Sequence, residues 1–430
     1  MKRPIGKRAV AAGIACVMML SGCARNKPSE AKPLKNDPAV KTELKLDQVA
    51  NQKYDEEKMN SGYGEFTFKL LAETASNAQK SNIMISPASI MMALDMCAAG
   101  AKGETLKQIN DLFAKDSDPL QQQAFASDLM KRINNSQKVD FSCANAVWNN
   151  ESVLGDKVNT TYVDYIKKTF GAEFRSAVFD NNTHKDINKW VDEKTNHMIP
   201  DAISNPVDPL AVMVLVNAIR FEGKWQSEYK DAQISERDFR GINGTEKATM
   251  LSSTEKGYFA TSKATGFIKY YEGDEYAFVA ILPNDDKVNA NDFIKGFTYA
   301  DYKEFIGSRK NVDVNTLMPE FKSDYETRVN DQLLALGMKD AFDPVKADLT
   351  GIAKIESKNM YISKVIHKTH IEVDRKGTKA AAVTSVEVDC ESITEPEDPK
   401  SVICDRPYVY AIVDTVTMNP IFIGTVNSVK

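Results

Sequence analysis

The chain has 430 residues, of which 42% are hydrophobic and 27% charged, and its formal net charge at pH 7 is −5. This composition is typical of a globular protein with a sizeable core in one large domain or two to three smaller ones. It argues against a nucleic-acid partner, because binding to phosphates depends on clustered Lys and Arg.

The amino terminus, residues 1–22, is predicted to be a lipoprotein signal peptide. Basic residues precede the apolar run 9–20, which is too short to span a bilayer. "LSGC" follows and resembles the lipobox of bacterial lipoproteins. We therefore expect lipidation of Cys23 and an exported protein anchored in the bacterial cell envelope, at the outer membrane or cell surface. A plain secretory signal is the alternative.

The next segment, residues 23–58, is rich in Lys, Asn, Pro, Asp and Glu and has few large apolar residues. Such a composition cannot bury enough apolar surface to fold, so it predicts a flexible tether. No linker interrupts residues 59–430, which we expect to form one domain.

Within this domain, helical patterns come first and strand patterns later. Apolar spacing in "GYGEFTFKLLAETA" predicts a helix, and another runs from Pro87 to a stop near Gly100. Four β-branched or alternating runs follow: "VDFSCANAVWNN", "AVMVLVNAIRFEGKW", "EYAFVAILPND" and "NMYISKVIHKTHIEVD". The closing "RPYVYAIVDTVTMNPIFIGTVN" predicts two strands around a turn at Asn419-Pro420. This order favours an α+β fold with a large mixed sheet.

Motifs of catalysis are absent: the sequence contains no GxSxG, HExxH or GxxxxGK[ST]. His367 and His370 are three apart on a predicted strand, so they face opposite sides and suit a shared metal poorly. Nothing marks Cys143 and His197 as a nucleophilic pair. Cys97 and Cys143 lie in apolar runs typical of buried free thiols. We expect no enzyme activity, no cofactor and no metal.

Four segments together resemble the serpin family of serine protease inhibitors: "ISPASIMMALDMCAAGAKGETLKQI", "NAIRFEGKW", "ISKVIHKTHIEVDRKGTKAAA" and "CDRPYVYAI". The resemblance covers nearly all of residues 59–430. It implies a serpin fold with a helical amino-terminal part, a large central mixed sheet and an exposed reactive-centre loop. In serpins a protease cleaves this loop, whose first half then inserts into the sheet and carries the trapped enzyme along.

In that mechanism the segment after Gly377 must be a loop before cleavage and a strand after it, and its sequence is compatible with both. Every second residue from Thr378 is small or apolar, as in a strand with one buried face: Thr378, Ala380, Ala382, Thr384, Val386, Val388 and Cys390. An ordinary half-buried edge strand is the alternative. The resemblance makes the hinge of the loop Gly377, Thr378, Lys379, Ala380, Ala381 and Ala382.

The resemblance also places the reactive bond in the loop 377–400. Counting fourteen residues on from Gly377 gives Glu391, followed by Ser392, and the alternation ends at the same place. Pro396 and Pro399 cannot join a sheet interior, so the extra residues of this long loop belong after the bond. Rival positions are Asp389, Cys390, Thr394 and Glu395.

Further residues carry family roles. Ser86, Ser89, Asn217 and His367 match the polar shutter beneath the sheet, and Trp225 matches the aromatic of the breach above it. Where serpins have a glutamate and a lysine, this chain has Arg375 and Glu320, which we interpret as an ion pair with reversed signs. Lys379 stands where inhibitory serpins have an acid. It falls on the solvent-facing side of the alternation, so we expect little effect on inhibition.

The resemblance therefore predicts an inhibitor of endopeptidases, of the serine class first and of the papain-like cysteine class second. The partners would be target proteases and, through Cys23, a membrane; the protein would be a monomer. The alternative is a non-inhibitory serpin acting as a binding or chaperone-like surface protein. A hinge with bulky residues or a proline would favour this alternative, and the hinge sequence "GTKAAAVT" has neither feature.

Overall fold

The computed structural model describes residues 34–78, 81–155, 157–204, 206–355, 359–378 and 399–430. The side chains of residues 142–144 are not described. Within these ranges, no helix is both long enough and apolar enough to cross a membrane.

The helices lie mainly in the first half of the chain, and several of them begin at a side-chain cap. In α2, for example, the Ser86 hydroxyl accepts the Ser89 amide and Pro87 occupies the first turn, where its missing amide costs nothing. The helices are α1 Glu56–Asn77, α2 Pro87–Ala98, α3 Gly103–Ala114, α4 Pro119–Asn135, α5 Glu151–Leu154, α6 Thr160–Phe170, α7 Thr183–Lys194, α8 Ala290–Lys295, α9 Tyr299–Gly307 and α10 Asn330–Ala335.

The strands of the described residues form two large sheets and one small one. They are β1 Lys35–Asn36, β2 Met84–Ile85, β3 Val139–Asn150, β4 Lys157–Val158, β5 Glu173–Ala177, β6 Met213–Lys224, β7 Ile234–Gly241, β8 Gly244–Ala260, β9 Ala264–Tyr270, β10 Tyr276–Pro283, β11 Lys310–Pro319, β12 Phe321–Arg328, β13 Lys364–Val373, β14 Gly377–Thr378, β15 Lys400–Ile403, β16 Tyr408–Asp414 and β17 Pro420–Val426. β1 pairs with β4.

The central sheet has the order β12-β13-β14-β6-β3-β5. β13 and β6 run parallel and pair directly from Lys364 opposite Val214 to His370 opposite Arg220. The other large sheet has the order β15-β11-β8-β9-β10-β16-β17-β2, with β7 on β8. Both sheets and the buried helix α2 contribute to one large core.

A second, smaller core lies on the outer face of the central sheet. The apolar side of α7, including Ile187 and Trp190, packs with Val214 and Val216 of β6 and with Ile366 of β13. The segment after α7 continues across this face, and the Ser204 amide and hydroxyl both donate to the Glu326 carboxylate on β12. The direct β13–β6 seam is thus covered by α7 and its following segment.

The predicted tether is shorter than expected, because its later part packs on the domain. Val40, Leu44, Leu46 and Val49 are buried, and residues 46–51 form a short 3-10 helix. β1 also adds a parallel strand to β4. The prediction of a flexible segment up to residue 58 is therefore wrong from residue 35 onward: a few spaced apolar side chains suffice to attach a mostly polar segment to an existing core.

The predicted order of helices and strands agrees with the structure. The four strand-like runs correspond to β3, β6, β10 and β13, and the closing run forms β16 and β17. The chain reverses over residues 415–419, just before Pro420. The α+β architecture with a large mixed sheet is therefore confirmed.

Candidate functional site

The site is an opening at the top of the central sheet, where β14 lies between β13 and β6. Thr378 pairs with Val373 on one side and with Gly223 on the other, and both pairings are antiparallel. Below this level, from His370 and Arg220 downward, β13 and β6 pair directly with each other. The sheet thus already holds two residues of the predicted hinge.

Both hinge residues fit closely. Thr378 is fully buried, and its hydroxyl forms a 2.7 Å hydrogen bond with the Tyr271 hydroxyl. A Cβ on Gly377 would lie 2.1 Å from the carbonyl oxygen of Gly223, so any side chain there would collide with β6. Glycine is therefore needed at this position because two backbones approach closely, and it also lets the backbone of the hinge rotate.

Trp225 holds the turn that leads into β14. Its backbone amide donates to the Lys376 carbonyl and its indole nitrogen to the Asp374 carbonyl, both at 2.9 Å. Its ring stacks on Tyr271, with centroids 4.6 Å apart. Asp374 closes the turn by accepting the amides of Lys376 and Gly377. Trp225 therefore holds both the turn before β14 and the Tyr271 ring whose hydroxyl bonds to Thr378.

Arg375 and Glu320 meet beside this turn. The guanidinium Nε lies 3.4 Å from the Glu320 carboxylate, which also accepts the Arg375 amide at 3.2 Å. Asp231 lies 3.7 Å from the same guanidinium. Because the Arg375 side chain is 42% exposed, the ion pair contributes at most about 1 kcal/mol.

Reversing one charge of this pair should destabilise the protein. Arg375→Glu places a carboxylate against Glu320 and Asp231, and we expect the free energy of unfolding to fall by about 1 kcal/mol. Adding Glu320→Lys should restore most of that loss, as measured by urea unfolding of both single variants and the double variant. Additive losses in the double variant would rule the pairing out.

Lower in the sheet, the four predicted shutter residues form one buried hydrogen-bond network. The Asn217 amide oxygen accepts the Ser89 hydroxyl, and its nitrogen donates to the Ser89 carbonyl at 3.1 Å. The same nitrogen donates to the Asn145 side chain at 2.6 Å. His367 and Asn217 are direct partners across the β13–β6 seam. The network therefore lies at the seam between β13 and β6.

The hydrogen bonds of His367 define its protonation state. The Ser86 amide donates to Nε2 at 3.0 Å, so Nε2 carries no proton, and Nδ1 lies 3.1 Å from the Asn217 oxygen and donates to it. Burial lowers the pKa of His367 from 6.5 to about 3. A second proton on this ring would face the Ser86 amide and break the network.

Acid should therefore weaken the fold through His367. Because the pKa is lower in the folded state, the neutral ring contributes stability that is complete above about pH 6.5 and is lost as the pH falls below that value. Between pH 7 and pH 5 we expect a loss of about 2 kcal/mol in the free energy of unfolding. His367→Gln, which cannot titrate, is the control; an equal loss in both proteins would contradict the assignment.

Two members of the site were missed by sequence reasoning. Asn145 is a polar residue in the otherwise apolar centre of β3, opposite Asn217. A single polar residue in such an apolar run is a pattern that could have indicated its role. Tyr271 follows β9 and gives no comparable signal, since only the three-dimensional structure brings its hydroxyl to Thr378.

Other predicted residues lie outside the described ranges: Lys379, Ala380, Ala381, Ala382, Glu391, Ser392 and Cys23. Cys97 and Cys404 are free and buried, and burial raises the pKa of both thiols. His197 bonds to Asp192 at 2.7 Å, while His370 bonds to Asp324 at 2.6 Å on the sheet face opposite His367. Among the described residues, no group of three His, Cys, Asp or Glu side chains is placed to hold a metal.

The central sheet thus combines a two-residue strand at its top with a buried polar network at the β13–β6 seam. The family model described as Serpin (serine protease inhibitor) matches residues 61–429. The chain belongs to the serpin family, which is a family of protease inhibitors rather than of enzymes, although some serpins are non-inhibitory.

Relatives cover most of the chain. Iripin-5 of Ixodes ricinus is 31% identical over 86% of this chain and 95% of its own length. Leukocyte elastase inhibitor A of Mus musculus is 30% identical over 86% of this chain and all of its own length. The native state of the thermophilic serpin tengpin is 36% identical, with a TM-score of 0.80 over 90% of this chain and all of that chain. Tengpin in its latent state also matches, with a TM-score of 0.75.

Proposed function

We propose that the protein inhibits endopeptidases by suicide-substrate trapping, with the loop 377–400 as bait. The observation that carries this proposal is the placement of Thr378 between Val373 and Gly223. An antiparallel strand begun between two parallel strands can lengthen only downward, by separating β13 from β6. Loop cleavage would free the segment after Thr378 to do so.

The energetics favour that step. Each residue that enters exchanges one direct β13–β6 pairing for two pairings, and both are of the antiparallel type, which is slightly more stable per residue. The alternation of the sequence also puts small or apolar residues on the core side. The uncleaved protein is therefore metastable, and its lifetime depends on how slowly the loop inserts without cleavage.

The target is proposed from the charge of the loop. Glu387, Asp389 and Glu391 precede the bond that we propose between Glu391 and Ser392, and further acids follow. A pocket with a carboxylate at its base would meet like charge, so trypsin-like enzymes are disfavoured. A glutamate-specific serine protease fits best. Elastase-like serine proteases, in keeping with the name of the mouse relative, and papain-like cysteine proteases come second.

A protease panel tests this function. The purified protein is incubated with glutamate-specific, elastase-like, trypsin-like and papain-like enzymes, and each mixture is run on a denaturing gel. We expect a complex that survives denaturation with the first class, and a carboxy-terminal fragment that begins at Ser392 by mass spectrometry. Cleavage by every enzyme without any stable complex would contradict inhibition, and a fragment starting beyond Glu395 would contradict the position of the bond.

A further inference from the structure

A buried ion pair lies next to the aromatic residues that border the turn before β14. The Lys269 ammonium on β9 is 2.6 Å from the Glu255 carboxylate on β8, and the two side chains are only 3% and 16% exposed. The Ser253 hydroxyl also donates to this carboxylate, at 2.5 Å. We call Lys269 and Glu255 the buried ion pair.

The ammonium of the buried ion pair lies over two aromatic rings. Its nitrogen is 4.5 Å from the centroid of the Tyr229 ring and 5.6 Å from that of the Trp225 ring. Both aromatic residues are themselves buried. A cation within about 6 Å of a ring centroid is attracted to the face of the ring, and more strongly where water is excluded. Lys269 therefore fixes both rings relative to β8 and β9.

The same two aromatic residues hold the turn that leads into β14. Three successive carbonyls of this turn accept hydrogen bonds from them, each at 2.9 Å. Trp225 donates through its indole nitrogen to Asp374 and through its amide to Lys376. The Tyr229 amide donates to Arg375, the residue between them. The position of the turn therefore depends on the positions of Trp225 and Tyr229.

The buried ion pair connects the two large sheets. β8 and β9 belong to the sheet that includes β10 and β16, whereas the turn precedes a strand of the central sheet. Stability alone is a poor explanation for the pair, because moving two charges out of water costs free energy that their attraction only partly repays. An uncharged pair of similar size is often as stable. The placement favours a role in positioning.

We propose that Lys269, held by Glu255, is a positioning residue for strand insertion. It fixes Trp225 and Tyr229 and so keeps the turn before β14 in place. This inference rests on the proposed function and deepens it, because a strand that enters the sheet in the register of β14 needs a fixed start. Without the ammonium the turn would shift more often, insertion would slow, and the protease would have more time to escape.

The test compares wild type with Lys269→Arg and with the double variant Lys269→Met, Glu255→Gln, which leaves neither charge buried alone. The readout is the number of inhibitor molecules consumed per molecule of a glutamate-specific serine protease trapped. The double variant should raise this number about three- to tenfold. Lys269→Arg retains a cation and should lie closer to wild type. The control Lys247→Met, Asp238→Asn removes an exposed ion pair between β8 and β7 and should not change the number.

Amide hydrogen exchange in the uncut protein separates positioning from trapping. The peptide that spans residues 374–378 should exchange faster in the double variant, while the melting temperature should change little. An unchanged trapping ratio or unchanged exchange would overturn the positioning role. A lower melting temperature that accompanies the raised ratio would also overturn it, because the pair would then serve stability alone. A wild-type protein that traps no protease would overturn the proposed function, and the exchange rates would still decide the role of Lys269.

Discussion

Cutting the loop between Glu391 and Ser392 is expected to raise the melting temperature of the protein by tens of degrees. In the register of β14, the freed segment would replace the direct pairings from Lys364–Val214 to His370–Arg220 with pairings on both sides. Val386 would then stand opposite Val365 and Leu215, on the core side. Each buried valine contributes about 1.5–3 kcal/mol, and the added backbone pairings contribute further.

This change is opposite to the effect of an ordinary cut in a loop, which lowers the melting temperature of a protein. The measurement is differential scanning calorimetry of the intact and the cut protein, with the cut confirmed by mass spectrometry. A control cut within residues 36–52, in the segment that packs on the domain, should leave the melting temperature unchanged or lower it. An unchanged or lower value after the loop is cut would favour the non-inhibitory alternative.

Thr378→Arg should abolish trapping while leaving cleavage intact. Thr378 is fully buried against Tyr271. A guanidinium at this position would lie buried between two strands in place of the Thr378 hydroxyl, and burying an unpaired charge costs several kcal/mol. The strand would then fail to start, so the protease would cut the loop and leave. A denaturing gel should show cut inhibitor and no stable complex.

Thr378→Ser is the matched control, since it keeps the hydroxyl that bonds to Tyr271 and adds no charge. It should trap protease at nearly the wild-type ratio. If Thr378→Arg still formed the complex at the wild-type ratio, insertion through this opening could not be the mechanism.

Much of the fold follows from local patterns. The cap at Ser86 and Pro87 defines the start of α2, and runs rich in β-branched and other apolar residues predict β13 and the two strands that end the chain. The polar residues Ser86, Ser89, Asn217 and His367 were placed by resemblance, and in the structure they lie together at one seam.

What the sequence did not predict depends on contacts between distant segments. The hydrogen bond between Tyr271 and Thr378 joins residues 107 positions apart, and no local pattern specifies it. The insertion of Gly377 and Thr378 before any cleavage depends on the balance between β13–β6 pairing and β14 pairing, which is a free-energy difference of the whole sheet. The packing of Leu44 and Leu46 likewise depends on a surface formed elsewhere in the chain.

The layer over the seam adds a mechanical requirement to strand insertion. α7 and its following segment hold β6 through Val214 and Val216, and they hold β12 through the bonds between Ser204 and Glu326. One more strand between β13 and β6 would move β6 and β12 apart by about 4.8 Å, which is the spacing of neighbouring strands. A close-packed layer cannot stretch that far, so it must slide or release one edge while the strand passes beneath it. Under the proposed mechanism, the layer that covers the seam in the uncut protein must therefore be displaced before the new strand can enter.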